Sequence, residues 1–194
     1  MTETKIGIKI PEFIITEGKI KGVLIIERSA VSDERGFFRE VWREVLLKEK
    51  GIEFLPVQMN HSMSETGAIR GIHAERWDKL VYSATGKMWV PVVDLRPESA
   101  TFGQYEEFLF DNTGGNLPKR ALFLPKGIGN SICAIEGPVH YFYLVNAYWT
   151  PGSSFAIKPF DEDLNIKWPI KNPIVAEKDL NAKSLRETFP DKFK

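Results

Sequence analysis

Short apolar runs rich in Val, Ile, Phe, Tyr and Trp recur along the chain, separated by Gly, Pro, Asn or Asp. They occupy residues 23–27, 37–42, 57–62, 80–84, 88–95, 106–110, 121–124, 131–135, 139–148 and 154–157. Many short strands with turn chemistry between them predict an all-β sandwich or barrel. The strongest hairpin signal covers residues 80–95, where Thr85-Gly86-Lys87 supplies a short turn between two β-rich arms. Pro125-Lys126-Gly127 and Glu136-Gly137-Pro138 punctuate the later strands. Helix signals are scarce. Residues 43–50 read as one short helix stopped by Gly51, and the tail from Pro169 reads as a wrapping segment with a turn of helix near residues 182–187. Without repeats, linkers or low-complexity blocks, residues 1–194 read as one domain with a C-terminal extension.

Composition narrows the class. A chain of 194 residues with 43% hydrophobic side chains can fill one sizeable core, and 12% aromatic content is too high for a disordered chain. Lys+Arg and Asp+Glu both total 26, so the net charge is zero. That balance argues against a nucleic-acid partner, which needs excess positive charge to displace phosphate counterions, yet allows a local basic pocket for one phosphorylated small molecule. The lone cysteine, Cys133, excludes an intramolecular disulfide framework and a Cys-based zinc site, and reads as a small packed residue. No apolar run approaches the roughly 20 residues of a membrane span. The start, Met1-Thr2-Glu3-Thr4-Lys5, carries no apolar signal segment, so a soluble cytoplasmic protein is expected.

Three histidines, His61, His73 and His140, leave few catalytic schemes open. The nearest approach to a metal set is His73-Ala74-Glu75, with no second His in that strand, so no metal is expected. Common nucleotide-hydrolysis, dinucleotide and acyl-transfer motifs are absent. What stands out is Gln58-Met59-Asn60-His61-Ser62, then Arg70-Gly71-Ile72-His73, then Lys79. Either these charges face solvent, with His73 an ordinary packed or surface histidine, or they line a site. Arg70 and His73 would leave opposite sides of a flat strand, but a bulge at Gly71 would re-aim one of them. On strand alternation alone Tyr143 reads as a core aromatic and Asp179 as a solvated tail charge. Trp89, Trp149 and Trp168 read as core or interface aromatics.

A series of motifs in order resembles the dTDP-4-dehydrorhamnose 3,5-epimerase family. Asp33-Glu34-Arg35-Gly36-Phe37-Phe38-Arg39-Glu40 is similar to its D-x-R-G-x-F-x-E opening, Gln58-x-Asn60-x-Ser62 to its Q-x-N-x-S strand, and Ile69-Arg70-Gly71-Ile72-His73 to its L-R-G-L-H motif. Lys79-Leu80-Val81, Val93-Asp94-Leu95-Arg96 with Ser99-Ala100-Thr101-Phe102-Gly103, Leu124-Pro125-Lys126-Gly127, Ile166-Lys167-Trp168-Pro169 and Glu177-Lys178-Asp179 continue the likeness from about Gly22 to Leu185. The resemblance implies a cupin-type jelly-roll β-sandwich, a dTDP-sugar substrate, no cofactor, and a homodimer whose N-terminal strands exchange between subunits. It implies inversion of carbons 3 and 5 of dTDP-4-keto-6-deoxyglucose through an enolate, serving dTDP-L-rhamnose-type deoxysugar synthesis.

By motif position, the resemblance makes His73 the base and Asp179 its orienting partner, with Asp161 a competitor for that role. Lys79 would stabilise the enolate and Tyr143 would be the acid on the opposite face. Arg35 and Arg70 would meet the diphosphate; Gln58, Asn60 and Glu40 would read the thymidine, with Phe37 stacked on its base; Lys178 would contact substrate. Arg35, Phe37 and Glu40 would act in the partner's site, the alternative being an ordinary exposed edge strand. His61 and His140 have no matching role. The chain departs from the pattern at Asn130, where the family carries a second histidine, at the shortened stretch Ala74-Glu75-Arg76-Trp77-Asp78, and at Leu144. Asn130 would still contact the sugar. These departures keep open an epimerase of a single carbon on a related 4-keto sugar, and a sugar-nucleotide-binding cupin without turnover; a metal-dependent cupin oxygenase is a third rival.

Overall fold

The computed structural model describes residues 2–3, 9–10, 13–28, 30–114 and 119–194. Its elements in chain order are β1 (Thr2–Glu3), β2 (Lys9–Ile10), β3 (Phe13–Glu17), β4 (Leu24–Arg28), β5 (Val31–Asp33), β6 (Gly36–Phe38) and α1 (Glu44–Lys48). The main body follows: β7 (Gln58–Ser64), β8 (Ala68–Glu75), β9 (Lys79–Ser83), β10 (Lys87–Asp94), β11 (Tyr105–Asp111), β12 (Lys119–Leu124), β13 (Ile128–Glu136) and β14 (Val139–Val145). The C-terminal segment adds β15 (Ser154–Ala156), β16 (Ile174–Val175), α2 (Glu177–Leu180) and α3 (Leu185–Thr188). Met1, Thr4 and Lys5, on which the expectation of no signal segment partly rests, lie outside the described residues.

Two large sheets form the body. One runs β11-β10-β13-β8-β15, with β16 also on β8; the other runs β3-β4-β12-β9-β14-β7. Strand alternation sorts the side chains. Met88, Val90 and Val92 of β10 meet Val81 of β9, Leu122 of β12 and Ile132 of β13 in the core between the sheets. From the opposite face of β10, Trp89 and Val93 join Ile69, Ile72 and Cys133, covered by Ile157, Leu164, Ile166 and Leu185 of the C-terminal segment. The other sheet's outer face carries Leu24, Leu80 and Phe123 under Leu47 of α1 and Phe54. Strands wet on neither face explain why β10 is a nearly unbroken apolar run. Each fully buried Leu, Ile or Val contributes about 1.5–3 kcal/mol relative to exposure. This is the expected all-β jelly-roll sandwich.

Several local expectations are corrected. Residues 80–95 do not form a hairpin: β9 and β10 belong to different sheets, and Thr85-Gly86-Lys87 carries the chain across the sandwich. The turn chemistry is real, but alternation cannot say which sheet the next strand joins. The expected strand 37–42 ends at Phe38 in the small β5–β6 hairpin. β8, absent from the list of apolar runs because Arg70, His73 and Glu75 interrupt it, is a central strand. The expected tail helix near residues 182–187 forms as α3, starting at Leu185, where Ser184 and Glu187 make a reciprocal capping box. No helix among the described residues is long and apolar enough to cross a membrane.

Candidate active site

Strand β8 carries the centre of the site, and an irregularity in it makes the site possible. His73 pairs with Asn130 and Arg70 with Ile132, so the two residues Gly71 and Ile72 stand opposite the single Ser131. This bulge shifts the alternation by one, turning Arg70 and His73 to the same cavity while Ile69, Ile72 and Ala74 all enter the outer core. Gly71 is required there. Its φ is +111°, and a Cβ would lie 2.8 Å from the Asn130 carbonyl oxygen.

The C-terminal segment supplies the second half of a dyad. β16 lies parallel to β8, with Ile174 opposite Ala68 and Val175 opposite Ile69, and α2 then brings Asp179 beneath the bulge. Asp179 Oδ1 lies 2.9 Å from His73 Nε2, and its Oδ2 accepts the Gly71 N–H at 3.0 Å. The carboxylate is nearly sealed, with 3% of its side chain exposed against 37% for His73. Burial works to raise the Asp179 pKa, but the His73 hydrogen bond, the Gly71 N–H and the charges of His73 and Lys178 outweigh it and hold the group below its ordinary value. The expected competitor, Asp161, is elsewhere: it accepts the backbone N–H groups of Asp163, Leu164 and Leu185 and makes no contact with His73.

The facing sheet contributes the rest. On β14, Tyr141 and Tyr143 point inward beside each other, with ring centroids 5.6 Å apart. Burial is the main cause raising the Tyr143 pKa, the Glu75 carboxylate adds to it, and the Arg70 guanidinium works against it. Lys79, at the start of β9, is 3% exposed. Its ammonium is ion-paired with Glu75 Oε2 and donates to Asn130 Oδ1 at 2.6 Å, and Asn130 Nδ2 donates to the Tyr141 hydroxyl at 3.0 Å. Arg70 donates to Ser64 Oγ at 2.8 Å and the Met63 carbonyl at 2.7 Å, fixing its guanidinium at the rim.

His73, Lys79, Tyr143, Asp179, Arg70, Asn130 and Lys178 thus line one cavity of about 750 Å³. His73 and Tyr143 reach it from opposing sheets. The remaining expected residues do not line it. Gln58 and Asn60 hydrogen-bond each other at 2.8 Å on β7, where Asn60 is in register with Tyr143 and shares its face. Arg35 is ion-paired with Asp33 on the exposed β5–β6 hairpin, with Phe37 beside it, and Glu40 pairs with Arg43. Within one chain these three stand apart from the cavity. His61 and His140 hydrogen-bond and stack on each other, and His61 also stacks on Phe142, on the outer face of the same sheet. Cys133 is buried, its thiol pushed up to about 11 by that burial. Trp89 and Trp168 pack in the core, whereas Trp149 lines the cavity.

Glu75 and Tyr141 are the site residues that sequence reasoning passed over. Both were legible as the inward positions two residues from His73 and from Tyr143. Among the described residues no cluster of three or more His, Cys, Asp or Glu could hold a metal ion. The groups present suit proton transfer next to a carbonyl: an imidazole held by a carboxylate, a phenol from the other side, and a buried ammonium.

Comparison with known proteins agrees with that chemistry. The family model for dTDP-4-dehydrorhamnose 3,5-epimerase matches residues 17–187. A dTDP-4-dehydrorhamnose 3,5-epimerase of Shigella flexneri is 33% identical over 178 residues, covering 87% of this chain and 93% of that protein. Among solved structures, NovW, a 4-keto-6-deoxy sugar epimerase from the novobiocin biosynthetic gene cluster of Streptomyces spheroides, superposes with a TM-score of 0.87 at 30% identity, covering 93% of this chain and 92% of that one. An epimerase of Legionella pneumophila in complex with dTDP-4-keto-L-rhamnose gives a TM-score of 0.82 at 33% identity, covering 90% and 94%.

Proposed function

The chain belongs to the dTDP-4-dehydrorhamnose 3,5-epimerase family, and from that premise we propose that it epimerises dTDP-4-keto-6-deoxyglucose at carbons 3 and 5 with the residues that line its cavity. A C–H bond beside the C4 ketone breaks when neutral His73 takes the proton, and the electron pair moves onto the ketone oxygen to give an enolate. Asp179 holds His73 through Nε2, leaving Nδ1 for the substrate, and stabilises the imidazolium that forms. Lys79 stabilises the enolate oxygen. Tyr143 returns a proton to the same carbon from the other side; solvent then reprotonates Tyr143 and takes the proton from the His73 imidazolium, restoring both groups. Because donor and acceptor act on opposite faces, the carbon inverts.

The observation that carries this reading is the 2.9 Å His73–Asp179 contact opening onto a cavity shared with Lys79 and Tyr143. Arg70 and Lys178 are the cations available to the diphosphate. A homodimer belongs to the same reading. The β5–β6 hairpin exposes Phe37 and Phe38, 59% and 73% accessible, which suits an arm that delivers Arg35, Phe37 and Glu40 to a second subunit's nucleotide site. The test is reaction of the purified protein with dTDP-4-keto-6-deoxyglucose in deuterated water. Exchange at both C3 and C5 supports the double epimerase. Exchange at one carbon indicates a single-site epimerase, and binding without exchange a non-catalytic cupin.

A further inference from the structure

The cavity holds a second tyrosine that the acid–base scheme leaves idle. Tyr141 is 6% exposed, packs its ring in the inter-sheet core and lines the cavity beside Tyr143. Its hydroxyl ends a chain of polar contacts that starts at Glu75 and passes through Lys79 and Asn130.

That chain has a direction set by charge. An ammonium offers only N–H groups, so the Asn130 amide must turn its oxygen to Lys79 and its NH₂ to Tyr141. The tyrosine oxygen therefore accepts on that side, and its own hydrogen has to point elsewhere. No side chain among the described residues accepts it, and the cavity is the open direction. Lys79 is similarly arranged. With one N–H on Glu75 and one on Asn130, its third faces no protein partner among the described residues. Glu75 also cancels much of the Lys79 charge at a distance, so the ammonium alone is a weaker anchor for a developing oxyanion than an unpaired lysine would be.

We infer that Tyr141 is a second hydrogen-bond donor to the substrate, acting with Lys79 on the ketone oxygen, and that the Glu75–Lys79–Asn130 chain turns its hydroxyl toward that oxygen. The inference rests on the enolate reading given above. It assigns Asn130 a role its amide alone can fill, relaying orientation from a cation to a phenol. Burial, the largest cause, keeps the Tyr141 pKa far above that of an ordinary phenol, so the group stays protonated as a donor must.

Tyr141→Phe removes one oxygen and keeps the ring. It should lower kcat on dTDP-4-keto-6-deoxyglucose by about 100-fold while KM changes by less than about threefold, the loss expected for one preorganised oxyanion donor. Asn130→Asp supplies the independent test. The new carboxylate would pair with Lys79 and take the Tyr141 hydrogen, so kcat should fall to the level of Tyr141→Phe. The double variant should then show no further loss, since both changes remove the same interaction. Thermal melts and dTDP binding check that each variant folds. Wild-type turnover with Tyr141→Phe unchanged in kcat, or affected only in KM, overturns the inference and leaves the enolate reading standing. Additive losses in the double variant overturn the relay. A wild type that exchanges no substrate hydrogen overturns the enolate reading and this inference with it.

Discussion

Asp161 and Asp179 lie on the same C-terminal segment and are buried to the same degree, 3% and 2% exposed. Their partners divide them. Asp161 is saturated by three backbone N–H groups, from Asp163, Leu164 and Leu185, and stitches the turn after β15 to the start of α3. Asp179 gives one oxygen to the Gly71 N–H and the other to a side chain that can change its charge. Burial alone does not mark a functional carboxylate. What marks it is an oxygen aimed at a titratable group that itself reaches solvent or a ligand, as the 37% exposed side chain of His73 does. Asp94 extends the contrast. It is fully buried at the end of β10 and satisfied by Arg96, Ser99 and Thr101, again with structural partners only.

The comparison can be broken at each carboxylate. The largest effect is expected at Asp179→Asn, which leaves the contact's shape but removes the charge that orients and stabilises the imidazolium; kcat should fall by about 1,000-fold or more, with the fold retained by melting temperature. A residual rate within tenfold of wild type would show that Asp179 is only another structural cap.

Asp161→Asn should do the reverse. Replacing one acceptor oxygen by an NH₂ group that confronts backbone donors should destabilise the protein by about 1–3 kcal/mol in chemical denaturation, while kcat per folded molecule stays at the wild-type value. Asp94 gives the smallest and most pH-specific effect. Burial would raise its pKa, yet the hydrogen bonds from Arg96, Ser99 and Thr101 bring it down to about 2. A folded-state value below that of the unfolded chain stabilises the ionised form fully above about pH 4 and loses that contribution as the pH falls toward 2; the amount is about 1–2 kcal/mol after allowing for water around Arg96. Denaturation curves of wild type and Asp94→Asn should therefore converge across that window. A gap that persists below pH 2 would mean the charge is not what Asp94 contributes.

How much of this was legible beforehand divides along local and non-local lines. Most strands and the turns follow from alternation and turn chemistry, and the bulge from a glycine between Arg70 and His73, which are local facts; β8, interrupted by Arg70, His73 and Glu75, escapes that pattern. The dyad joins residues 106 positions apart, and its partner was identified by motif position, since nothing local distinguishes Asp179 from Asp161. The sheet assignment failed at residues 80–95 because a period of two looks the same in a hairpin and in a crossover between sheets. Glu75 and Tyr141 went unread for a different reason. Each sits on the correct inward row, but the contact that gives it meaning runs between strands β8, β9, β13 and β14, whose adjacency no local pattern encodes.

Proton removal by His73 is the step on which the proposed mechanism rests. Wild type and His73→Asn should be compared by mass spectrometry for deuterium uptake from solvent into dTDP-4-keto-6-deoxyglucose, with dTDP binding measured in parallel. Uptake by wild type and none above background by the variant is expected, with dTDP affinity preserved. Uptake by His73→Asn at a rate near that of wild type would contradict it.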